Sequence, residues 1–104
     1  MAIMEISLVP VGTKKATISD YVVDAVKVLE RLGIKYQVCP MGTVAEGELN
    51  ELFAAAREMH EEVFANGEVM RVVTTIRIDD RRDITENTME RKVKSLKEKI
   101  RYKK

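Results

Sequence analysis

The sequence holds one cysteine, one histidine, two prolines and no tryptophan in 104 residues. A lone Cys39 excludes an internal disulfide. With no cysteine cluster, it also excludes a thiolate-rich zinc site. That usage fits a reducing compartment, so a cytoplasmic protein is expected. No stretch approaches the roughly 18 apolar residues that a spanning helix requires, so no membrane partner is expected. The opening residues Met1-Ala2-Ile3-Met4-Glu5-Ile6-Ser7 carry no basic segment and no long apolar run, and therefore do not read as a secretory leader. Neither sign of charge dominates: 18 Lys and Arg stand against 17 Asp and Glu. Overall charge thus gives no pull toward nucleic acid. Neither a P-loop nor a dinucleotide glycine fingerprint occurs.

What is present is a globular composition, with 45% hydrophobic and 34% charged residues. The length suits one domain over residues 1–104. Residues 3–10 alternate with a period of two and read as a strand, ended by Pro10 and Gly12. Thr17, three residues before Asp20, resembles a capping box and opens a helix over 18–32. Its apolar stripe is Ile18, Val22, Ala25, Leu29 and Leu32, and Gly33 occupies the C-cap position. Residues 34–39 form a second strand, with Ile34, Tyr36 and Val38 on one face. Pro40 and Gly42 make a tight connection to a short strand over 43–46. A helix follows over 48–65, with the stripe Leu49, Leu52, Phe53, Ala56, Met59 and Val63, and ends at Asn66 and Gly67. Residues 70–79 alternate as a fourth strand. A helix over 86–101 then carries Met89, Val93, Leu96 and Ile100 on one face. The order β-α-β-β-α-β plus a C-terminal helix predicts an α+β, ferredoxin-like sandwich.

Two helices cover one face of such a sheet. The alternation directs Glu5, Ser7, Val9, Lys35, Gln37, Cys39, Val73, Thr75 and Arg77 to the other. This set is mixed and small, poor in the Lys and Glu of a purely solvated face. Val9, Cys39, Val73 and Thr75 would form an apolar patch suited to self-association or a ligand. No aromatic residue points outward there, which disfavours RNA binding by stacking. Charge is segregated along the chain: residues 46–68 hold seven Glu against one Arg, and residues 86–104 hold eight Lys or Arg against three Glu. Opposite-sign surfaces can set subunit docking. The last helix must bury its stripe, either on its own sheet or on a neighbouring subunit.

Catalytic patterns are weak. His60 lies beside Glu61 and Glu62, whose side chains leave a helix in other directions and cannot readily share a metal with it. Cys39 has no neighbouring base or basic cluster to lower its pKa and reads as a packing residue. Ser7 lacks a nucleophile-elbow context. The cluster Asp79-Asp80-Arg81-Arg82-Asp83 reads as a surface salt-bridge network or an anion contact. In the segment Met41-Gly42-Thr43-Val44-Ala45-Glu46-Gly47, a hydroxyl and a carboxylate sit between glycines. That arrangement could recognise an amine or amidine edge, or be a plain hairpin strand. No enzyme activity, metal or cofactor is expected.

That segment resembles a known family when taken with Glu5-Ile6-Ser7-Leu8-Val9-Pro10-Val11-Gly12-Thr13, Ser19-Asp20-Tyr21-Val22 and Arg71-Val72-Val73-Thr74-Thr75-Ile76-Arg77-Ile78-Asp79-Asp80-Arg81-Arg82-Asp83. It is similar to a family of small thiamine-binding proteins, over nearly the whole chain. The resemblance implies a ferredoxin-like fold assembled as a dimer of dimers, through facing sheets and C-terminal helices. It also implies a thiamine or pyrimidine ligand near the sheet and subunit interface, and no catalysis. Ser7, Thr43 and Glu46 lie inside the matching motifs. Thiamine is a cation with an aminopyrimidine, so a carboxylate such as Glu5 or Glu46 suits it. Ser7 and Thr43 offer hydroxyls, while Tyr21 and Tyr36 offer stacking surfaces. The candidate binding residues are Glu5, Ser7, Tyr36, Thr43 and Glu46. The expected form is a cytoplasmic homodimer or homotetramer holding a small molecule. The alternative is an oligomeric interaction module without a dedicated ligand.

Overall fold

The structure, a computed structural model, describes residues 1–14, 18–65 and 67–102. Strand β1 spans Ala2–Pro10, helix α1 Ser19–Arg31, strand β2 Lys35–Cys39 and strand β3 Gly42–Gly47. Helix α2 spans Leu49–Phe64, strand β4 Val72–Asp80 and helix α3 Met89–Tyr102. The strands form one sheet in the order β2-β3-β1-β4, with every neighbouring pair antiparallel. This is the ferredoxin-like α+β arrangement with an added C-terminal helix.

The period of two in β1 decides the layers. Ala2, Met4, Ile6 and Leu8 are buried beneath the helices. Ala25, Val28 and Leu29 of α1 meet them, together with Leu52, Ala55, Ala56, Met59 and Val63 of α2. Fully burying each large aliphatic side chain contributes about 1.5–3 kcal/mol. Helix α1 stops at a Schellman turn: Gly33 N–H donates to Glu30 O and Ile34 N–H to Leu29 O, both at 3.0 Å. Gly33 adopts φ +69°, which a residue with a Cβ rarely reaches. The expected Thr17 cap and the Asn66 stop lie outside the described residues.

Two stripes differ from their sequence reading. Phe53 is 55% exposed and Ala55 takes the core position instead, while on α1 Val28 is buried and Leu32 is not. Spacing of three or four residues admits either neighbour, and the small Ala55 lets α2 lie close to its partners. The third departure is larger. Helix α3 begins at Met89, not residue 86, because Thr88 caps it: the Thr88 hydroxyl accepts the Arg91 N–H at 3.1 Å. Only Met89 of α3 is buried, and Glu90 onward is exposed. The helix therefore leaves the domain as an arm. The Cα radius of gyration is 15.5 Å, against about 13 Å for a compact chain of similar length.

Candidate functional site

The strand register creates a gap. The β1–β4 ladder runs the whole strand, from Ala2↔Asp80 to Pro10↔Val72. The β1–β3 ladder ends early, at Ile6↔Thr43. Beyond Ile6, β1 has β4 on one side and, among the described residues, no strand on the other. The β2–β3 hairpin tip stands across from it, and α1 lies over the helix side. A cavity of about 570 Å³ fills this place. Ser7 and Thr43 both line it, with Leu8, Val22, Val38 and Met41 among the apolar walls. Its size and its few hydroxyls in apolar surroundings suit a small heterocycle. Thr43 is only 5% exposed. Gly42 has a local reason to be glycine: a Cβ there would meet Ile6 O at 3.1 Å. The missing side chain lets β3 approach β1 at the rim of the cavity.

The other candidate residues lie elsewhere. Register places Thr43, opposite Ile6, on the helix face, and Glu46, opposite Ile3 and Lys35, on the open face. The hydroxyl and carboxylate of that strand therefore do not converge, because three positions along a strand reverse the face. Glu46 is 5% exposed and serves α3: its Oε2 accepts the Met89 N–H at 2.9 Å. Its Oε1 stands 3.4 Å from Lys35 Nζ, which also meets Glu90 at 2.8 Å. Hydrogen bonding to Glu90 and then to Glu46 raises the Lys35 pKa, and the same Lys35 contact lowers that of Glu90. Glu5 sits on the open face, 3.7 Å from Arg77, with its Cγ close to Gly42. Tyr36 donates its hydroxyl to Glu30 at 2.7 Å, and this bond with partial desolvation raises its pKa. Tyr36 instead borders a second groove of about 580 Å³, between β2 and α3, alongside Val93, Lys94 and Lys97.

The groups read as catalytically weak have structural partners. His60 Nδ1 lies 2.6 Å from Thr74 Oγ1, and its ring meets Phe64 edge-on. The charged turn forms a network, with Arg81 on Asp83, Arg82 on Asp80 and Lys92 on Asp79. Cys39 lines the cavity as a free thiol. Among the described residues, no three His, Cys, Asp or Glu side chains converge to hold a metal ion. No described helix is long and apolar enough to cross a membrane. Sequence reasoning left Leu8, Val22 and Val38 out of the cavity wall, since only the unequal ladder lengths bring them to the hairpin tip.

A family model described as thiamine-binding protein matches residues 4–97. The chain belongs to that family. The UPF0045 protein YqgV of Bacillus subtilis is 46% identical over 100 residues, covering 92% of this chain and 94% of its own length. The solved structure of hypothetical protein MJ1052 from Methanocaldococcus jannaschii superposes with a TM-score of 0.83 at 41% identity, covering 93% of this chain and 96% of that one. A Thermotoga maritima protein, whose name proposes a role in thiamine biosynthesis or salvage, superposes with a TM-score of 0.76. At 24% identity, with 91% of this chain and 97% of that one covered, it supports the fold alone. Family membership supports small-molecule binding as the general function, and none of these names is that of a catalyst.

Proposed function

We propose that this chain is a cytoplasmic, non-catalytic binding protein that holds thiamine or a related pyrimidine in the cavity between Ser7 and Thr43. The observation that carries this reading is the cavity itself, whose wall includes the motif residues Ser7 and Thr43. Apolar walls suit the flat faces of a heterocycle, and the Thr43 hydroxyl on the helix face can bond one of its nitrogens. Glu5, on the open face and 3.7 Å from Arg77, lies outside the cavity wall in this reading. In this reading Glu46 belongs to the α3 side of the sheet, and Tyr36, opposite Ala45 and bonded to Glu30 of α1, to the helix face away from the cavity.

Self-association is part of the same proposal. Leu96 and Ile100 on the arm are 61% and 64% exposed, and Val9 and Val73 are exposed on the open sheet face. Together these apolar surfaces call for a second copy of the chain, as a dimer or a dimer of dimers. Nucleic acid is not a partner in this reading, since the described open-face strand residues carry no aromatic ring for stacking. The exposed arm also favours a second reading, an oligomeric interaction module without a ligand. Calorimetry separates the two: saturable binding of one thiamine per chain supports the first. Absence of heat and of competition up to millimolar thiamine leaves only the second.

A further inference from the structure

The charged turn after β4 meets one flank of the C-terminal arm. Arg81 pairs with Asp83 within the turn, and Lys92 of α3 reaches back to Asp79. Arg91, Lys92, Ser95 and Lys99 lie along that flank, at spacings that keep them on one side of a helix. Between flank and turn lies a notch of about 380 Å³, walled by these four residues with Arg81 and Asn87. Four cations line it and two carboxylates answer them, so two positive charges are left over. Arg91 and Lys99 carry those charges, for neither forms an ion pair among the described residues. The Arg81 hydrogen bond holds the Asp83 carboxyl below its usual range, and Arg91 adds only a smaller pull through space. Asn87 is 2% exposed and still lines the notch. One N–H of its side-chain amide donates to Asp79 O at 3.1 Å. The second has no acceptor among the described residues, and a buried amide N–H left unbonded carries a desolvation cost. Ser95 adds a hydroxyl to the same wall.

We propose that this notch binds a phosphate group, a doubly charged oxyanion held between the turn and the arm. The two unpaired cations match its charge, and the Arg91 guanidinium can bond two of its oxygens at once. The Asn87 N–H and the Ser95 hydroxyl supply neutral donors that fix its orientation. Asp79 and Asp83 stay with Lys92 and Arg81. The site is separate from the cavity. The turn leaves β4 at Asp80, opposite Ala2, whereas the cavity opens beyond Ile6. From Ala2 to Leu8 the strand runs about 20 Å at about 3.4 Å per residue, so one small ligand does not fill both places. The phosphate has two possible sources, the free anion and a phosphate monoester of a metabolite. Leu96 also lines the notch and belongs to the apolar stripe of the arm. A phosphate bonded to both turn and flank therefore sets the direction in which the arm presents that stripe.

The test is an NMR titration of the full, isotope-labelled chain with inorganic phosphate and with glycerol phosphate, at an ionic strength held constant with sodium chloride. Expected are saturable shifts of the Asn87 side-chain amide and of the Ser95 main-chain amide. Arg91→Gln combined with Lys99→Gln is expected to weaken phosphate about tenfold or more. Lys94→Gln combined with Lys97→Gln removes the same charge from the other flank of α3, beside β2. That pair is expected to change phosphate affinity by less than about twofold, since exposed charges away from the site are screened. Saturable binding of glycerol phosphate assigns the phosphate to a larger metabolite, and binding of inorganic phosphate alone assigns it to the free anion. Both results support the site. Shifts that rise without saturating, or an equal loss in the two double variants, show only the diffuse attraction of a basic helix and overturn it. A response to chloride as strong as that to phosphate overturns it as well. These readouts are independent of the cavity, so thiamine binding stands or falls separately.

Discussion

Glu46 holds the first residue of the C-terminal arm: its buried carboxylate accepts the Met89 N–H at 2.9 Å. The contact joins the centre of the sheet to a helix that otherwise stands away from it. A carboxylate at the positive end of a helix stabilises it both by the hydrogen bond and by the dipole. Glu46→Ala removes both, and leaves Lys35 with Glu90 alone. The expected loss is about 1–3 kcal/mol, which for a domain of this size lowers the melting temperature by several degrees. Amide exchange confined to α3 should quicken more than exchange in β1. Thiamine affinity should hold within about threefold. A large loss of affinity with intact α3 protection would instead place Glu46 at the ligand.

The Lys35–Glu90 contact makes a pH prediction with a defined sign. The Glu90 pKa is depressed below its ordinary value of 4.5 by Lys35. Its contribution is present above that value and is lost as pH falls through the lowered pKa. The Lys35 pKa is raised above 10.5 by Glu90 and Glu46. Its contribution is complete below 10.5 and is lost as pH rises through the raised pKa. Protection of the first turn of α3 should therefore be flat across the neutral range and decline only beyond these two limits. Both partners are solvent-exposed, so the effect is small and salt-sensitive. An NMR titration of Glu90 should show its midpoint move back toward 4.5 in Lys35→Met. No movement would mean that the contact is not formed in solution.

The proposed self-association places the arm at the subunit contact. Leu96 and Ile100 make no contribution to the core of the single chain, being more than half exposed. Leu96→Glu or Ile100→Glu should leave the domain's circular dichroism unchanged and shift the sedimentation mass toward the monomer. A charge buried at a subunit contact costs several kcal/mol unless paired, enough to dissociate the assembly at micromolar concentration. An unchanged mass with both substitutions combined would remove the arm from the interface.

The fold was legible in the sequence where burial follows a simple period. Met4, Ile6 and Leu8 announce the helix-facing side of β1, and Gly33 announces the end of α1. The choice between adjacent apolar positions was not legible. Phe53 fits the spacing of α2 as well as Ala55 does, and only the close packing of α2 selects the smaller one. An amphipathic stripe likewise says that Val93, Leu96 and Ile100 need cover without saying what covers them. The site was half legible. Ser7 and Thr43 stood out in motifs far apart in the chain, and a ladder that stops at Ile6↔Thr43 brings them to one cavity. Glu46 was drawn into the same group by proximity in sequence, although the strand's period sends it to the opposite face.

The cavity can be tested by removing a group and by adding one. Thr43→Val keeps the shape of the side chain and deletes its hydroxyl. If that hydroxyl bonds the ligand, affinity should fall about tenfold, one hydrogen bond's worth, while the melting temperature stays within a few degrees. Gly42→Ala adds a single methyl group where the nearest atom, Ile6 O at 3.1 Å, is main chain and cannot swing aside. The hairpin tip must then move away from β1, which weakens the last rungs of the β1–β3 ladder and reshapes the cavity rim. The expected result is a destabilisation of about 1–3 kcal/mol together with a loss of thiamine affinity larger than that of Thr43→Val. Should Gly42→Ala weaken folding yet leave binding intact, the ligand is not held at this rim, and the groove between β2 and α3 becomes the place to look.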